Sequence, residues 1–374
     1  MKEVLVLGSK EYPFGSNSGD DIIPSGGMET YIDDLASELS KLCRLKIVTR
    51  KFKGTEPHEK KGNIEVLRVR WLKGKWFRNI SFNICSFFRS LSVTGSVDII
   101  YSNGLVSGFF GMLLGKIFRK PTIYRPAGIG FWHYRLLKYP FLLFERIVFG
   151  RSSAVLFHSE AEKRNAEKIF SMKKTFVILT GFPVEKYAKG KDNLREKFGM
   201  GKSKVITSIS RFVPVKGLDN LIDACSVLKD DFRLLMVGSG PEESRLKGIV
   251  EKKGMSKKVI FTGFRRDIPD ILASTDVFVV SSLHEGLPTS LLEAMAAGKA
   301  CVVTDIGLPL KHMENGIVVK PGSCDELRKG IEKILKDRRL REKLGASARK
   351  FVEKNCTQKK AAESHMKMFR EVLG

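Results

Sequence analysis

VFVVSSLHEGLPTSLLEAMAAGKACVVTD, residues 277–305, runs from four apolar residues through a polar loop into a helical pattern, then into a second apolar run. Short runs without polar alternation suit strands buried on both faces. Pro288 falls where a helix would begin, and there its missing N–H costs nothing. The stretch therefore predicts a strand at 277–281, a helix at 288–297 and a strand at 301–303, which is one parallel β-α-β unit.

The same rhythm extends outward in both directions. Toward the C-terminus a further strand fits 317–319, followed by helices at 325–335 and 339–353 and a closing helix at 359–372. Toward the N-terminus the second half adds strands at 205–209, 233–237 and 259–262, with helices at 218–228 and 242–252. The first half adds strands at 4–7, 45–49, 64–69, 99–101, 122–124, 154–158 and 176–179. Residues 180–202, rich in glycine and charge, read as a linker carrying a small helix. A chain of 374 residues exceeds what one core supports. The expected organisation is an α/β domain at 1–182, a second at 183–355, and a terminal helix at 356–374 that packs back toward the first domain. Two doubly wound sheets would face each other across a deep cleft.

Composition narrows the classes of function. Six cysteines, Cys43, Cys85, Cys225, Cys301, Cys324 and Cys356, lie far apart without CxxC or Cys/His spacing. That disfavours a disulfide framework or a zinc site and fits the reducing cytosol. The opening MKEVLVLGSKEYPF reads as a strand rather than a signal peptide. The apolar stretch 105–118, with glycines and Lys116 inside it, falls short of the ~20 residues a bilayer span needs. Net charge is +25. Residues 44–89 hold 13 Lys and Arg against Glu56, Glu59 and Glu65, interleaved with Trp71, Trp76, Phe77, Phe82, Phe87 and Phe88. This suits first a solvated basic face over an ordinary core, and next a surface that touches anionic lipid headgroups or polyanions. No nucleic-acid motif accompanies the charge, so no nucleic-acid partner is expected.

In open α/β sheets ligands bind beyond the carboxyl ends of the strands, where loops enter helix N-termini that favour anions. Three such loops carry chemistry. Ser25-Gly26-Gly27-Met28-Glu29 precedes an amphipathic helix, and its glycines allow close backbone approach. Ser210 to Gly217, SRFVPVKG, places Arg211 and Lys216 in one loop, a fork and a point charge suited to a diphosphate. The third is the opening stretch itself, with Glu285 in the loop, Glu293 on the helix, and Gly286-Leu287-Pro288-Thr289 offering exposed N–H groups between them. His158, at a strand end, and His284, beside Glu285, read as structural.

These residues, with VGSGP at 237–241 and FTGF at 261–264, resemble retaining glycosyltransferase family 4, and the resemblance covers the chain from end to end. It implies the GT-B fold of two Rossmann-like domains and transfer of a hexose from a UDP- or GDP-sugar, with no metal and no further cofactor. By the same resemblance Arg211 and Lys216 bind the donor diphosphate, Glu293 the ribose hydroxyls, and Glu285 lies near the donor sugar. Gly286, Leu287, Pro288 and Thr289 present backbone to sugar and phosphates, Gly263 and Phe264 border the base, and Gly27 faces the diphosphate. Where the family commonly has His-Gly after the strand at 122–124, this chain reads Arg125-Pro126-Ala127-Gly128, leaving Arg125 and His133 as candidates for the sugar contact. The expected acceptor is a glycan or lipid-linked sugar, met at the cytoplasmic membrane face. The other readings of the same residues are a nucleotide-sugar-binding protein and a sugar-nucleotide epimerase. A Rossmann dehydrogenase fits less well, because no ribose-binding acid follows VGSGP at the usual distance.

Overall fold

The computed structural model describes residues 1–13, 27–72, 74, 77–126 and 138–374, with backbone alone at 27–30 and 138–141. Two compact units make up the chain: Met1–Phe182 with Gln358–Gly374, and Pro183–Thr357.

The first unit contains strands β1 (Glu3–Leu7), β2 (Arg44–Arg50), β3 (His58–Lys61), β4 (Ile64–Val69), β5 (Ile99–Asn103), β6 (Thr122–Arg125), β7 (Ala154–Phe157) and β8 (Thr175–Val177). They form one sheet in the order β3-β4-β2-β1-β5-β6-β7-β8. Every neighbouring pair is parallel except β3 with β4. Its helices are α1 (Gly27–Leu39), α2 (Phe77–Leu91), α3 (Leu105–Phe118), α4 (Lys138–Arg151) and α5 (Glu160–Glu167). The second unit has α6 (Val184–Tyr187), α7 (Leu194–Lys197), β9 (Lys204–Ile209), α8 (Leu218–Ser226), β10 (Phe232–Val237), α9 (Glu243–Lys252), β11 (Val259–Gly263), α10 (Ile268–Ala273), β12 (Val277–Val280), α11 (Thr289–Ala296), β13 (Ala300–Thr304), β14 (Ile317–Val319), α12 (Cys324–Lys336) and α13 (Arg338–Asn355). Its sheet is wholly parallel, in the order β11-β10-β9-β12-β13-β14. The closing helix α14 (Gln358–Leu373) belongs to the first unit, where it packs on α1.

The apolar runs became strands because both of their faces are covered. Val277 to Val280 are all buried, and Val279 shares a core with Leu221 and Ile222 of α8 and Ile331 of α12. In the first unit Ala361, Ala362, Met366 and Phe369 of α14 are buried in the core that holds Tyr31, Ile32 and Leu35 of α1.

Three elements depart from the sequence expectation. Pro288 lies at the N-cap of α11 rather than at its first helical position, with an extended ψ of 119°, so the helix begins at Thr289. Strand β3, His-Glu-Lys-Lys, is exposed at every position and pairs only with the sheet edge, so it carries no hydrophobic signal. Helix α10 is six residues long with Pro269 in its first turn, too short to show periodicity.

Candidate functional site

In the second sheet the strand order reverses between β9 and β12: chain succession runs outward from β9 to β10 and β11 on one side, and from β12 to β13 and β14 on the other. Loops leaving such a pair diverge and open a crevice at the carboxyl ends. The loop after β9 holds Arg211 and Lys216, and the loop after β12 holds Glu285, so topology alone brings the two charged loops together.

The loops are tied by backbone. Leu283 N–H donates to Val215 O at 2.8 Å, and Ser281 Oγ donates to Lys216 O at 2.9 Å. Gly217 lies so close that a Cβ there would sit 2.4 Å from Ser281 O, and its φ of +56° is one glycine adopts freely. Across this seam Lys216 Nζ forms an ion pair with Glu285 Oε1, and both side chains are largely buried. Ser282 Oγ donates to Glu285 Oε2 at 2.8 Å, so both carboxylate oxygens are held. Lys216, Glu285, Pro288, Ser208, Ser210 and Ser290 line one small crevice. Ser210 Oγ is buried there without a hydrogen-bond partner, which marks a position where a ligand oxygen would satisfy it.

Arg211 is exposed and, among the described residues, has no ion-pair partner. The glycines of VGSGP brace the loop that carries it. A Cβ at Gly238 would sit 2.0 Å from Ser210 O, and one at Gly240 would sit 2.3 Å from Phe212 O. Phe212 N–H donates to Ser239 O at 2.9 Å. This glycine pattern positions a neighbouring loop. Gly263 ends β11 with open space about its Cα, and the ring of Phe264 is 58% exposed.

Glu293 stands apart from the crevice-lining residues. On α11 it accepts a hydrogen bond from Tyr187 Oη of α6 at 2.8 Å. Burial pushes its carboxyl above the usual range, opposed by the Tyr187 hydroxyl and the charge of Lys186. Gly286 and Leu287 are half-buried between the two acids, as is Thr289 at the first position of α11.

Sequence reasoning missed Tyr187, Ser210 and Ser282. Ser210 and Ser282 lie inside stretches already quoted and carry no signal beyond their place at strand ends. Tyr187 is 106 residues from Glu293, and no local pattern joins them.

The first unit gathers polar groups at the carboxyl ends of β5, β6 and β7. Arg125 is buried, its Nε donating to His158 Nε2, its Nη1 to Asn103 Oδ1 at 3.4 Å, and its guanidinium lying 4.1 Å from the Tyr31 ring centroid. His158 Nδ1 faces Ile178 O at 3.0 Å, so Nδ1 carries the proton and the ring is neutral. Burial, and then the charge of Arg125, holds its pKa well below the ordinary histidine value. Tyr31 Oη lies 3.0 Å from Tyr101 Oη and 2.8 Å from His365 Nε2. Ala127 and His133 lie outside the described residues, as does Gly26. Gly27 opens α1. His284 is exposed.

Comparison with known proteins agrees with this geometry. Residues 25–186 match the family described as Glycosyltransferase Family 4, and residues 190–351 match Glycosyl transferases group 1. An uncharacterized glycosyltransferase of Methanocaldococcus jannaschii is 28% identical over 93% of this chain and 95% of its own length. The N,N'-diacetylbacillosaminyl-diphospho-undecaprenol alpha-1,3-N-acetylgalactosaminyltransferase of Campylobacter jejuni is 28% identical, covering 68% of this chain and 72% of that enzyme. Among solved structures, Anabaena HepE in complex with UDP and glucose superposes with a TM-score of 0.80 at 20% identity, over 99% of this chain and 100% of that one. Two parallel α/β sheets, the charged loops at the β9/β12 reversal and these matches lead to one assignment: the chain belongs to the family 4 glycosyltransferases of GT-B fold and transfers sugar from a nucleotide sugar.

Proposed function

We propose that the unit Pro183–Thr357 binds the donor diphosphate at the carboxyl ends of β9 and β12, and that a hexose is transferred with retention of anomeric configuration. The observation that carries this reading is the convergence of Lys216, Glu285 and the unpartnered Ser210 hydroxyl in one crevice. Lys216 has three N–H donors, and Glu285 occupies one of them, so the ammonium is held in place with donors left for phosphate oxygens. Arg211 adds a fork with no ion-pair partner among the described residues, and the first amides of α11 add a partial positive charge. No metal is called for, because these groups meet the charge that develops on the leaving group.

In the reaction the bond from the anomeric carbon to the diphosphate oxygen breaks and an acceptor oxygen bonds to that carbon from the same face. The acceptor's proton passes to the departing phosphate oxygen. Glu285, fixed by Lys216 and Ser282, stabilises positive charge on the sugar ring. Glu293 receives the ribose hydroxyls, and Gly263 with Phe264 borders the base of a UDP- or GDP-sugar.

The acceptor is read as a lipid-linked sugar at an anionic membrane face. Two things support this: the basic and aromatic segment 44–89, and the Campylobacter relative, whose name places its acceptor on undecaprenol diphosphate. No described helix is long and apolar enough to cross a membrane.

The test is release of nucleoside diphosphate from UDP- and GDP-hexoses with and without a polyisoprenyl-diphosphate sugar. Acceptor-dependent release is expected, with the α-configured donor giving an α-linked product. Arg211→Ala or Lys216→Ala is expected to raise the barrier by about 2 to 4 kcal/mol, a loss of ~30- to ~1000-fold in kcat/KM. Undiminished turnover in Lys216→Ala would remove its role.

A further inference from the structure

Helix α2 is apolar on two sides: Phe82, Cys85, Phe87 and Leu91 pack on the core, and a second set of apolar residues faces outward. Its buried face carries Asn83, Ser86 and Ser90 beside Phe82, while Phe77, Ile80, Ile84 and Phe88 stand exposed, Phe77 at 65% and Phe88 at 64%. Spacings of three, four and four residues align these four side chains along one outer stripe. The inner serines are satisfied within the helix: Ser86 Oγ donates to Phe82 O and Ser90 Oγ to Ser86 O, each at 2.7 Å. Asn83 Oδ1 accepts from Ser107 of α3 at 2.6 Å. Burial in the core of this unit explains Phe82 and none of the four outward residues.

Neighbouring helices carry further exposed apolar side chains. α2 packs on α3 and α3 on α4, and each of the latter adds exposed apolar side chains: Ile117 on α3, Leu143 and Ile147 on α4. Isolated exposed hydrophobics are ordinary, but seven on three helices packed in succession are more than scattered exposure explains.

Charge along this stretch of the chain has one sign, although Arg68 and Arg125 among its cations are buried away from the helix faces. From residue 66 to residue 144 the sequence holds 12 Lys and Arg and a single acid, Asp98. Asp98, half-buried just before β5, accepts from Glu3 N–H at 2.8 Å. Lys116 of α3, Arg119 at the C-cap of α3 and Arg146 of α4 are exposed, Arg78 and Arg89 of α2 are half-buried, and Glu145, next in line, is buried. Exposed apolar side chains on helices that also carry exposed cations match a bilayer interface of anionic phospholipid, whose headgroups take the charges while the stripe enters the acyl boundary.

We propose that the outer face of α2, extended by α3 and α4, is the surface by which this chain lies on an anionic phospholipid bilayer. The proposal rests on the membrane-face reading above and deepens it by naming the residues that enter the lipid. It does not depend on donor binding in the second unit.

The experiment is flotation of the full chain with phosphatidylcholine vesicles with and without phosphatidylglycerol, alongside titration with UDP and size measurement in solution. The wild type is expected to float with the phosphatidylglycerol vesicles, less at high salt because exposed charges are screened. Phe77→Ser with Phe88→Ser is expected to lower vesicle partitioning about tenfold or more, with UDP affinity and melting temperature unchanged. Lys116→Gln with Arg119→Gln is expected to weaken flotation and flatten its salt dependence. Failure of the wild type to float, or flotation of the double phenylalanine variant at the wild-type level, would overturn the proposal. A dimer that dissociates in the phenylalanine variant while no form floats would assign the face to a second copy and overturn it equally. UDP binding retained throughout would leave the donor reading standing.

Discussion

Lys216 and Glu285 hold each other across 69 residues of sequence, and that pairing changes what each can do. A lysine on a loop is normally a solvated point charge, but here it is preorganised by a carboxylate whose second oxygen is fixed by Ser282. Tyr187 does the same for Glu293, supplying a donor to a carboxylate that burial makes reluctant to ionise. Tyr187→Phe removes that donor and leaves a buried acceptor unmet, so stability to denaturant should fall by about 1 to 3 kcal/mol. The Glu293 carboxyl should also protonate at higher pH, because the one hydrogen bond pulling its pKa down is gone. UDP affinity measured from pH 5 to 8 should then decline from a higher pH in the variant than in the wild type. Superimposable profiles would contradict the role given to Tyr187. Lys216 and Glu285 were readable in the sequence because both stand in strand-to-helix loops, with Arg211 in the first loop and Glu293 on the helix after the second. Their partners were not, because an ion pair or a tyrosine contact between distant segments depends on strand order, which residue types do not encode.

At the scale of elements, the buried strands were readable because both faces are covered, which removes the alternation that half-exposed strands show. β3 escaped because it is exposed throughout, and α10 because six residues are less than two turns. The docking of α14 on α1 has a consequence for pH. His365 of α14 has Nδ1 facing Ala361 O at 2.7 Å, so Nε2 accepts from Tyr31, and the ring is neutral and buried. Burial lowers its pKa to about 4, with Arg125 acting in the same direction, and His158 is held low for the same reasons. An unfolded histidine titrates near 6.5. The unfolded chain therefore takes up protons first as pH falls, and the stability His365 contributes above about 6.5 is lost on the way to about 4, by up to ~1.4 kcal/mol per pH unit, with His158 acting in the same direction. Glu162, whose pKa burial raises, acts in the opposite sense, so a difference measurement is needed. Melting temperatures from pH 7.5 to 4.5 should fall less steeply in His365→Gln than in the wild type. Equal slopes would show that His365 does not remain neutral on folding.

The whole molecule divides its work between two units of different character. The unit Pro183–Thr357 was the more legible, because its motif loops leave the two strands at the reversal of sheet order, β9 and β12. In the first unit, residues 14–26 and 127–137 fall outside the described structure, so the loop containing Ala127 and His133 adds nothing to the sequence reading. Arg125, named from the sequence as a sugar contact, is buried against His158 and Tyr31. The outward stripe of α2 was half visible as interleaved bases and aromatics, but which rings face out depends on the helix register. The central claim, that a nucleoside diphosphate is held by Arg211 and Lys216 at the ends of β9 and β12, is tested most directly by calorimetric titration of UDP and GDP into the wild type and into Arg211→Ala and Lys216→Ala. At least one nucleotide should bind the wild type and bind each variant about 10- to 100-fold more weakly, the loss expected for one charge-assisted contact. Equal affinity in all three proteins would place the diphosphate elsewhere and contradict the account.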